Sequence, residues 1–355
     1  MLLSAPPQQT VDLGPQQQVV SCNPKIGVHT RLTDEVEEWK IKLSLALARE
    51  MGATWVVEYF PWAYIEPEPG RFDWRHSDVI LAHASRQGLS LVARLGYTPS
   101  WARPHGSTPS MLPQASWPAY AAFCAAFAAR YRGVLSRVVI WNEPNLALEW
   151  GFRPPSPEQY SGLLSTCYPA IKASAPETIV LAGALAPMPS PLDDPTAMDD
   201  LTYLERLYAA GGGQYFDELA VHSYGWAYPA DEPPDPGKVS FRRAELLRGI
   251  METHGDGAKA CLITEAGWND HPRWTRAVSP SQRVLFTQQA YDLAYRSWPW
   301  CRAVAMWVLR FPWPQRSYQD YFAFLTSDFE PRPVYLAVKA YASNCVVAER
   351  PSQSL

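Results

Sequence analysis

The sequence predicts an α/β fold, a single (β/α)8 TIM barrel. Short apolar runs of strand length alternate with longer stretches of helical spacing, and eight such pairs follow one another without a break in composition. Alternating strands and helices predict a parallel sheet covered on both faces, and eight units close naturally into a barrel. An open doubly wound sheet is the alternative, but it often carries a glycine-rich nucleotide-binding turn. The sequence has neither G-x-G-x-x-G nor a Walker loop.

The predicted strands are short, and most are rich in Val, Ile, Leu or Ala, as expected of strands buried on both faces. They span residues 26–29, 53–59, 89–95, 138–140, 178–183, 218–222, 261–265 and 303–308. The predicted helices span residues 39–51, 78–87, 120–131, 157–173, 202–210, 241–254, 282–297 and 334–342. Several of these helices are followed closely by a glycine, which is a common stop signal.

The chain divides into a polar Gln/Pro-rich tether at residues 1–23, the barrel at 24–345 and a tail at 346–355. The N-terminus lacks the charged and apolar regions of a signal peptide, and no run approaches the length of a membrane span. Because the Gln/Pro-rich segment looks like a tether, we expect a secreted or cell-surface protein whose precursor carries an export signal or anchor upstream. A cytoplasmic location stays open.

The composition argues against several classes of function. The formal net charge is −4 and the chain has no basic run, which argues against a nucleic-acid partner. No cysteines form a C-x-x-C pair, so we expect neither a metal site nor a cofactor. Cys124, Cys167 and Cys261 lie within apolar patterns and are predicted to be buried free thiols. Cys22 and Cys345 could pair, which the sequence leaves undecided. We expect a monomer.

In a barrel the C-terminal ends of the strands build the site. Reading these ends in order gives His29, Glu58 or Tyr59, Arg94, Asn142, Glu143, His222, Tyr224, Glu265, Trp307 and Arg310. The predicted site residues among them are His29, Arg94, Asn142, Glu143, His222, Tyr224, Glu265 and Trp307. Two of them, Glu143 and Glu265, are carboxylates on strands four and seven, which face each other across the barrel mouth. Paired carboxylates suit the cleavage of glycosidic bonds, in which one donates a proton and the other attacks. The alternative reading is a pair of unrelated, solvent-exposed glutamates.

Three segments then carry a family resemblance. Trp-Asn-Glu-Pro-Asn at 141–145 resembles the Asn-Glu-Pro signature of the clan A retaining glycoside hydrolases. Ile-Thr-Glu-Ala-Gly-Trp at 263–268 resembles their strand-seven nucleophile motif, and 62–74 is similar to the segment that follows their second strand. The resemblance covers about 26–342, and families 39 and 5 are the nearest.

The resemblance implies a role for most of the site. Glu143 would be the acid/base and Glu265 the nucleophile, kept ionised by Arg94 and Tyr224. Asn142 would bind the 2-hydroxyl of the reacting sugar, His222 and Tyr224 would line the same subsite, and Trp307 would be its floor. Many relatives place an arginine near the end of strand two, where this chain has Val-Glu-Tyr at 57–59. We expect Arg94 on strand three to serve instead.

Two further residues are predicted to bind substrate. Trp268 follows a strand end, as do Trp101, Trp150 and Trp226, and could be a sugar platform; about half of these four tryptophans are expected to pack in loops instead. His29 lies near the mouth, where a core histidine is an equal alternative.

The predicted function is a retaining β-glycoside hydrolase that needs no cofactor and acts on a β-linked oligo- or polysaccharide. A transglycosylase with the same two glutamates and a non-catalytic carbohydrate-binding barrel are the alternatives. A barrel fold alone would not choose among these three, because barrels host many chemistries.

Overall fold

The computed structural model describes residues 19–191 and 194–345, which form a closed barrel of eight parallel strands. The strands are hydrogen-bonded in sequence order, and the last pairs with the first. The predicted fold class is therefore confirmed. Most of the predicted tether and the whole tail, residues 1–18 and 346–355, lie outside the described residues.

The strands lie close to their predicted positions. They are β1 Ile26–His29, β2 Trp55–Pro61, β3 Ser90–Gly96, β4 Arg137–Ile140, β5 Ile179–Ala182, β6 Glu218–Tyr224, β7 Cys261–Gly267 and β8 Cys301–Met306.

The predicted helices are all present, and one more appears. They are α1 Glu38–Glu50, α2 Trp62–Ile65, α3 Arg75–Arg86, α4 Trp117–Arg130, α5 Pro157–Ser174, α6 Asp200–Ala209, α7 Arg243–Thr253, α8 Pro280–Ser297 and α9 Pro333–Asn344. The four-residue α2 directly after β2 is the one that periodicity did not predict, since it is too short to show a repeat. Within 19–191 and 194–345, no helix has the length and apolar character needed to cross a bilayer.

An apolar layer fills the inside of the barrel. Inward side chains from neighbouring strands, including Val57, Val92, Val139 and Leu262, are fully buried against one another. This layer closes the barrel, so the mouth above it is a pocket and not a channel.

A polar layer lies nearer the N-terminal ends of the strands. Arg137 and Glu218 form a buried ion pair, with Arg137 Nε 2.8 Å from Glu218 Oε2. The Arg137 guanidinium also lies 5.0 Å from the ring centre of Trp55. These groups are on the opposite side of the apolar layer from the mouth, so this end of the barrel contributes stability and not chemistry.

Side-chain alternation then determines what reaches the mouth. In a strand, residues two apart share a face. The side chains of Val57, Val92, Ala220 and Ala305 face inward. The residues two positions after them are Tyr59, Arg94, His222 and Trp307, respectively. These side chains therefore rise from the apolar layer towards the mouth on one shared face.

The two ends of the described chain are joined beneath the barrel. Cys22 and Cys345 form a disulfide with their Cα atoms 6.0 Å apart, which decides the pairing that the sequence left open. Val19 and Asn23 are buried, and Asn23 Nδ2 donates to Tyr291 O and Tyr341 Oη, both at 3.1 Å. The packed body thus includes residues 19–23, which the prediction had assigned to the tether. Cys124, Cys167 and Cys261 are buried free thiols, as predicted.

We predict that removing this disulfide with the double substitution Cys22→Ser and Cys345→Ser lowers the Tm by roughly 3–5 °C. Cross-linking two distant positions limits the unfolded chain and typically contributes about 2–4 kcal/mol. Thermal melting measures the change. A reductant should lower the wild-type Tm to the same value and leave the variant unaffected, whereas equal melting of wild type and variant without reductant would contradict the prediction.

Candidate active site

Glu265 is the most heavily contacted group of the mouth. Its Oε1 accepts a hydrogen bond from Arg94 Nη1 at 2.5 Å, and its Oε2 accepts one from Tyr224 Oη at 2.7 Å. Burial acts to raise the pKa of Glu265, but the neighbouring His222, the Arg94 guanidinium and the Tyr224 hydroxyl outweigh burial and hold this pKa well below its ordinary value. The carboxyl of Glu265 is therefore ionised throughout the neutral and mildly acidic range.

A register irregularity brings Glu265 into this position. Leu262 faces the barrel interior, so strict alternation would turn Thr264 and not Glu265 towards the mouth. The pairing of β6 with β7 shifts by one residue after Val221, and His222 pairs with Glu265. The extra residue in β7 changes which side chains face inward.

Glu143 lies in the loop after β4, on the opposite side of the mouth. Its Oε1 is 2.8 Å from His222 Nδ1, a hydrogen bond whose donor depends on the tautomer of the ring. The backbone around it is unusual, because Trp141 and Glu143 both have positive φ, 71° and 37°. Such conformations are costly for residues other than glycine and tend to occur at functional sites.

Asn145 holds this loop in place. Its side-chain amide donates to the carbonyls of Ala186 and Met198 at 2.9 and 3.0 Å, and its Oδ1 accepts from the Ala186 amide at 2.8 Å. Glu143 N adds a bond to Ala184 O at 2.9 Å. The residue after Pro144 thus ties the β4 loop to the β5 loop and fixes the direction of Glu143.

The two carboxylates are close neighbours. One oxygen of Glu143, one oxygen of Glu265 and a ring nitrogen of His222 all lie within 4.8 Å of one another. A spacing like this could also hold a metal ion. Both oxygens of Glu265 already accept strong hydrogen bonds, however, and a divalent cation would have to share that carboxylate with the Arg94 guanidinium. The donor set therefore favours acid, base or nucleophile chemistry over metal binding.

Asn142, His29 and Trp307 complete the predicted set around these carboxylates. Asn142 Oδ1 accepts from Arg94 Nη1 at 2.8 Å, so the two N–H groups of its amide nitrogen are left for other acceptors, of which Glu149 is one. His29 Nε2 is 3.7 Å from Glu265 Oε1, and neither ring nitrogen has a hydrogen-bond partner among residues 19–191 and 194–345. Burial and the charge of Arg94 lower the pKa of His29 to about 3, so this ring is neutral. Trp307 lines the same cavity as His29 and Arg94.

Trp268 does not reach the mouth, which corrects the prediction that it binds substrate. Its side chain is 1% exposed and packs against Phe241 and Phe286, and its Nε1 donates to Tyr228 O at 2.7 Å. Its whole ring is covered by the protein, so no face is left for a sugar. Trp150 is equally buried, whereas Trp101 and Trp226 are half-buried.

Two residues of the mouth were not among the predicted site residues, although Tyr59 was one of two candidates at the end of strand two. Tyr59 lies beneath the Arg94 guanidinium, whose carbon is 5.1 Å from the ring centre. Glu149, in a short 3-10 turn at Leu148–Trp150, interacts with Glu143, Glu265 and the Asn142 side chain. Inward alternation on β2 could have identified Tyr59. No local signal distinguishes Glu149 from a solvated loop glutamate, because its position depends on how the β4 loop folds back.

A cavity of about 360 Å³ opens beside Glu265. Its wall consists of residues from β1, β2, β3 and β8 and the loops that follow them, among them His29, Arg31, Asp34, Tyr59, Tyr64, Arg94, Tyr97 and Trp307. Its volume falls within the range of about 300–1,000 Å³ that is usual for small-molecule sites. The carboxylate pair and the cavity therefore form one candidate site.

Comparison with known proteins gives one partial family match. A glycoside hydrolase family 42 model, described as beta-galactosidase, matches residues 33–114, less than a quarter of the chain. No curated protein matches the chain in sequence.

Solved structures match over far more of the chain. A family 39 glycoside hydrolase from the gut symbiont Bacteroides cellulosilyticus WH2 matches with a TM-score of 0.75 and 20% identity, covering 93% of this chain and 65% of that one. A GH39 enzyme from Xanthomonas axonopodis pv. citri matches with a TM-score of 0.66 and 14% identity, covering 91% of this chain and 67% of that one. A GH5_18 from Streptomyces cattleya in complex with GlcNAc matches with a TM-score of 0.66 and 18% identity, covering 93% of this chain and 83% of that one.

These matches confirm the resemblance to clan A glycoside hydrolases at the level of the fold. The chain spans 65% of the length of the Bacteroides protein.

We predict that Glu149→Gln flattens the pH dependence of stability between about pH 4.5 and 7. Burial and the negative charge of Glu143 raise the pKa of Glu149 from 4.5 to about 7, although Arg94 and Asn142 oppose this. Over that window the folded protein binds more protons than the unfolded chain, so the wild type loses stability as the pH rises.

Urea unfolding of wild type and variant from pH 4 to 8 measures this difference. The free energy of unfolding of the wild type should fall relative to that of the variant as the pH rises. Glu330→Gln, at an exposed glutamate, is the control and should follow the wild type. A constant difference between Glu149→Gln and wild type across the range would show that Glu149 is not coupled to the site.

Proposed function

We propose that this protein is a retaining β-glycoside hydrolase, with Glu143 as the acid/base and Glu265 as the nucleophile. The observation that supports this most strongly is the pair of carboxylates with oxygens within 4.8 Å of one another. Retaining enzymes hold their carboxyl groups about 5–5.5 Å apart, whereas inverting enzymes leave about 6.5–9.5 Å for a water molecule. The close spacing here favours direct attack by Glu265.

In the first step, the Glu265 carboxylate attacks the anomeric carbon while Glu143 donates its proton to the glycosidic oxygen. The bond to the leaving group breaks, and a covalent glycosyl-enzyme ester forms. Arg94 and Tyr224 keep Glu265 ionised before the attack. The hydrogen bond with His222 would hold the Glu143 carboxyl in a fixed orientation for this proton transfer.

In the second step, water attacks the same carbon and Glu143, now ionised, takes its proton. The ester bond to Glu265 breaks, and the sugar leaves with its original β-configuration. A sugar hydroxyl in place of water would give transglycosylation, and product analysis with added acceptor sugars separates the two outcomes.

The remaining side chains would hold the reacting sugar. Arg94 fixes the oxygen of Asn142, and the amide nitrogen, with two N–H groups, can donate one of them to the 2-hydroxyl. Trp307 offers an aromatic wall, and the neutral ring of His29 lines the same cavity. A β-linked oligo- or polysaccharide is the proposed substrate.

We also propose a secreted or cell-surface location. The Cys22–Cys345 disulfide supports it, because disulfides persist in oxidising compartments and are rare in the cytosol.

The stereochemistry of hydrolysis tests the mechanism. Proton NMR early in the cleavage of an aryl β-glycoside should show the β-anomer first. The substrate comes from a panel of glucosides, galactosides, mannosides and xylosides. An initial α-anomer would rule out the double displacement. Absence of cleavage across this panel and a panel of β-glucans would favour a non-catalytic carbohydrate-binding barrel.

Azide rescue separates the roles of the two glutamates. Glu143→Ala should lose about 10²–10⁴-fold on substrates with poor leaving groups. It should keep activity on good ones and regain more with azide by forming the β-glycosyl azide. Glu265→Ala should respond to azide only through an α-configured product. Glu330→Ala serves as the surface control, and exchanged azide products would reverse the two assignments.

Asn142→Ala should lower kcat, because it removes a hydrogen bond that stabilises the transition state. Hydrogen bonds to the 2-hydroxyl strengthen as the oxocarbenium-like state forms and together supply several kcal/mol. We therefore expect kcat to fall by about 10²-fold, with a smaller change in KM. Comparing each enzyme on normal and 2-deoxy substrates checks the cause. If Asn142→Ala discriminates between them as strongly as the wild type does, this role is wrong.

A further inference from the structure

The cavity beside Glu265 reaches from the carboxylate to the loops that follow β1, β2 and β3. Its inner end is lined by His29, Arg94 and Trp307, next to the carboxylate. Its outer end lies between the loops after β1, β2 and β3, where four residues line the wall: Arg31, Asp34, Tyr64 and Tyr97. We call these four residues the lip.

Two tyrosines form the aromatic part of the lip. The rings of Tyr64 and Tyr97 meet edge to face with centres 5.7 Å apart, and they are 58% and 36% exposed. Tyr97 has a φ of 68°, and its carbonyl accepts from Ala63 N at 2.9 Å. A large aromatic side chain held in a costly backbone conformation, yet left uncovered, indicates that the exposed ring surface has a use.

An ion pair forms the polar part of the lip. Arg31 Nε donates to Asp34 Oδ2 at 2.7 Å, and the guanidinium lies 4.8 Å from the ring centre of Phe311. Both side chains are more than a third exposed and retain free donors and acceptors for a ligand. Charged groups beside an aromatic platform match a sugar ring, which has apolar faces and a polar edge.

Buried Glu58 makes the polar part rigid. Its carboxylate accepts from Thr30 Oγ1 at 2.6 Å and from the amides of Leu32 and Thr33 at 2.8 and 3.2 Å. Thr33 Oγ1 also donates to Tyr59 O at 2.5 Å. The loop that carries the ion pair is therefore held in one conformation before any ligand arrives, which reduces the entropy cost of binding.

The position of the cavity relative to Glu143 indicates which part of a sugar chain the cavity would hold. In the proposed function the leaving group departs beside Glu143, on the β4 side. Glu143 does not line this cavity, whose wall comes from β1, β2, β3 and β8. The lip therefore lies on the opposite side of the reacting sugar, where the non-reducing part of a chain would continue.

We infer that the lip is a second sugar subsite, which binds the unit preceding the reacting sugar. This inference rests on the proposed function and deepens it. The substrate class becomes β-linked disaccharide glycosides and longer chains, in which the reacting sugar itself carries another sugar. Tyr64 and Tyr97 supply the platform, and Arg31 and Asp34 bind hydroxyls at the edge of the ring.

The test compares aryl β-monoglycosides of glucose, galactose, mannose and xylose with the aryl glycosides of the matching β-1,4-linked disaccharides. The wild type should have a kcat/KM for the best disaccharide glycoside about tenfold or more above that for its monoglycoside. Tyr64→Ala should reduce this ratio by about tenfold, while Tyr64→Phe should preserve it, because the platform needs the ring and not the hydroxyl.

Two controls make the result specific. Tyr295→Ala removes a similarly exposed tyrosine on α8, away from the lip, and should leave the ratio unchanged. Arg31→Ala should reduce the ratio independently of the aromatic pair. Equal kcat/KM of the wild type on both substrate types, or a ratio that Tyr64→Ala leaves intact, would overturn the inference.

A binding experiment distinguishes failure of the proposed function from failure of this inference. If no glycoside is cleaved, calorimetric binding of cellobiose, xylobiose and mannobiose against glucose, xylose and mannose still reports on the lip. A disaccharide should then bind more tightly than its monosaccharide, and Tyr64→Ala should remove the difference. Equal binding of both would overturn the subsite independently of catalysis.

Discussion

The ion pair between Arg94 and Glu265 is the constraint on which the rest of the mouth depends. The two side chains are only 11% and 10% exposed, and taking a charge out of water costs several kcal/mol for each ion. Such a pair is tolerable only when its geometry is good and its remaining hydrogen-bonding capacity is used. Tyr224 meets that need for the carboxylate, and Asn142 meets part of it for the guanidinium, whose buried Nε has no hydrogen-bond partner among residues 19–191 and 194–345.

This requirement links four strands. Arg94 belongs to β3, Asn142 follows β4, Tyr224 ends β6 and Glu265 lies in β7. No pair of neighbouring strands could supply the set, so the closed barrel is what brings these groups together. The one-residue shift between β6 and β7 is part of the same solution, because it turns a carboxylate inward where alternation would have placed Thr264. The polar mouth is then supported from below by an apolar layer that excludes water from the centre of the barrel.

The two sides of the mouth differ in ways that suit different tasks. On the β4 and β6 side, Glu143 is hydrogen-bonded to His222, and Glu149 adds a third carboxyl whose pKa is raised to about 7 by burial and by Glu143. On the β1 to β3 side the wall is aromatic and carries an exposed ion pair. Chemistry that moves protons fits the first side, and recognition of a sugar chain fits the second.

The sequence by itself determined the barrel and the two carboxylates at its centre. Strands and helices follow from local periodicity, and Glu143 and Glu265 stand in short motifs at strand ends, so both are readable from neighbours in the chain. Only the tertiary structure decided that Trp268 is core, that Glu149 turns into the mouth, that Cys22 meets Cys345 and that Tyr64 lies beside Tyr97. The physical reason is the same in each case. These positions depend on how loops from different strands pack against one another, and that packing is set by contacts between residues far apart in the chain.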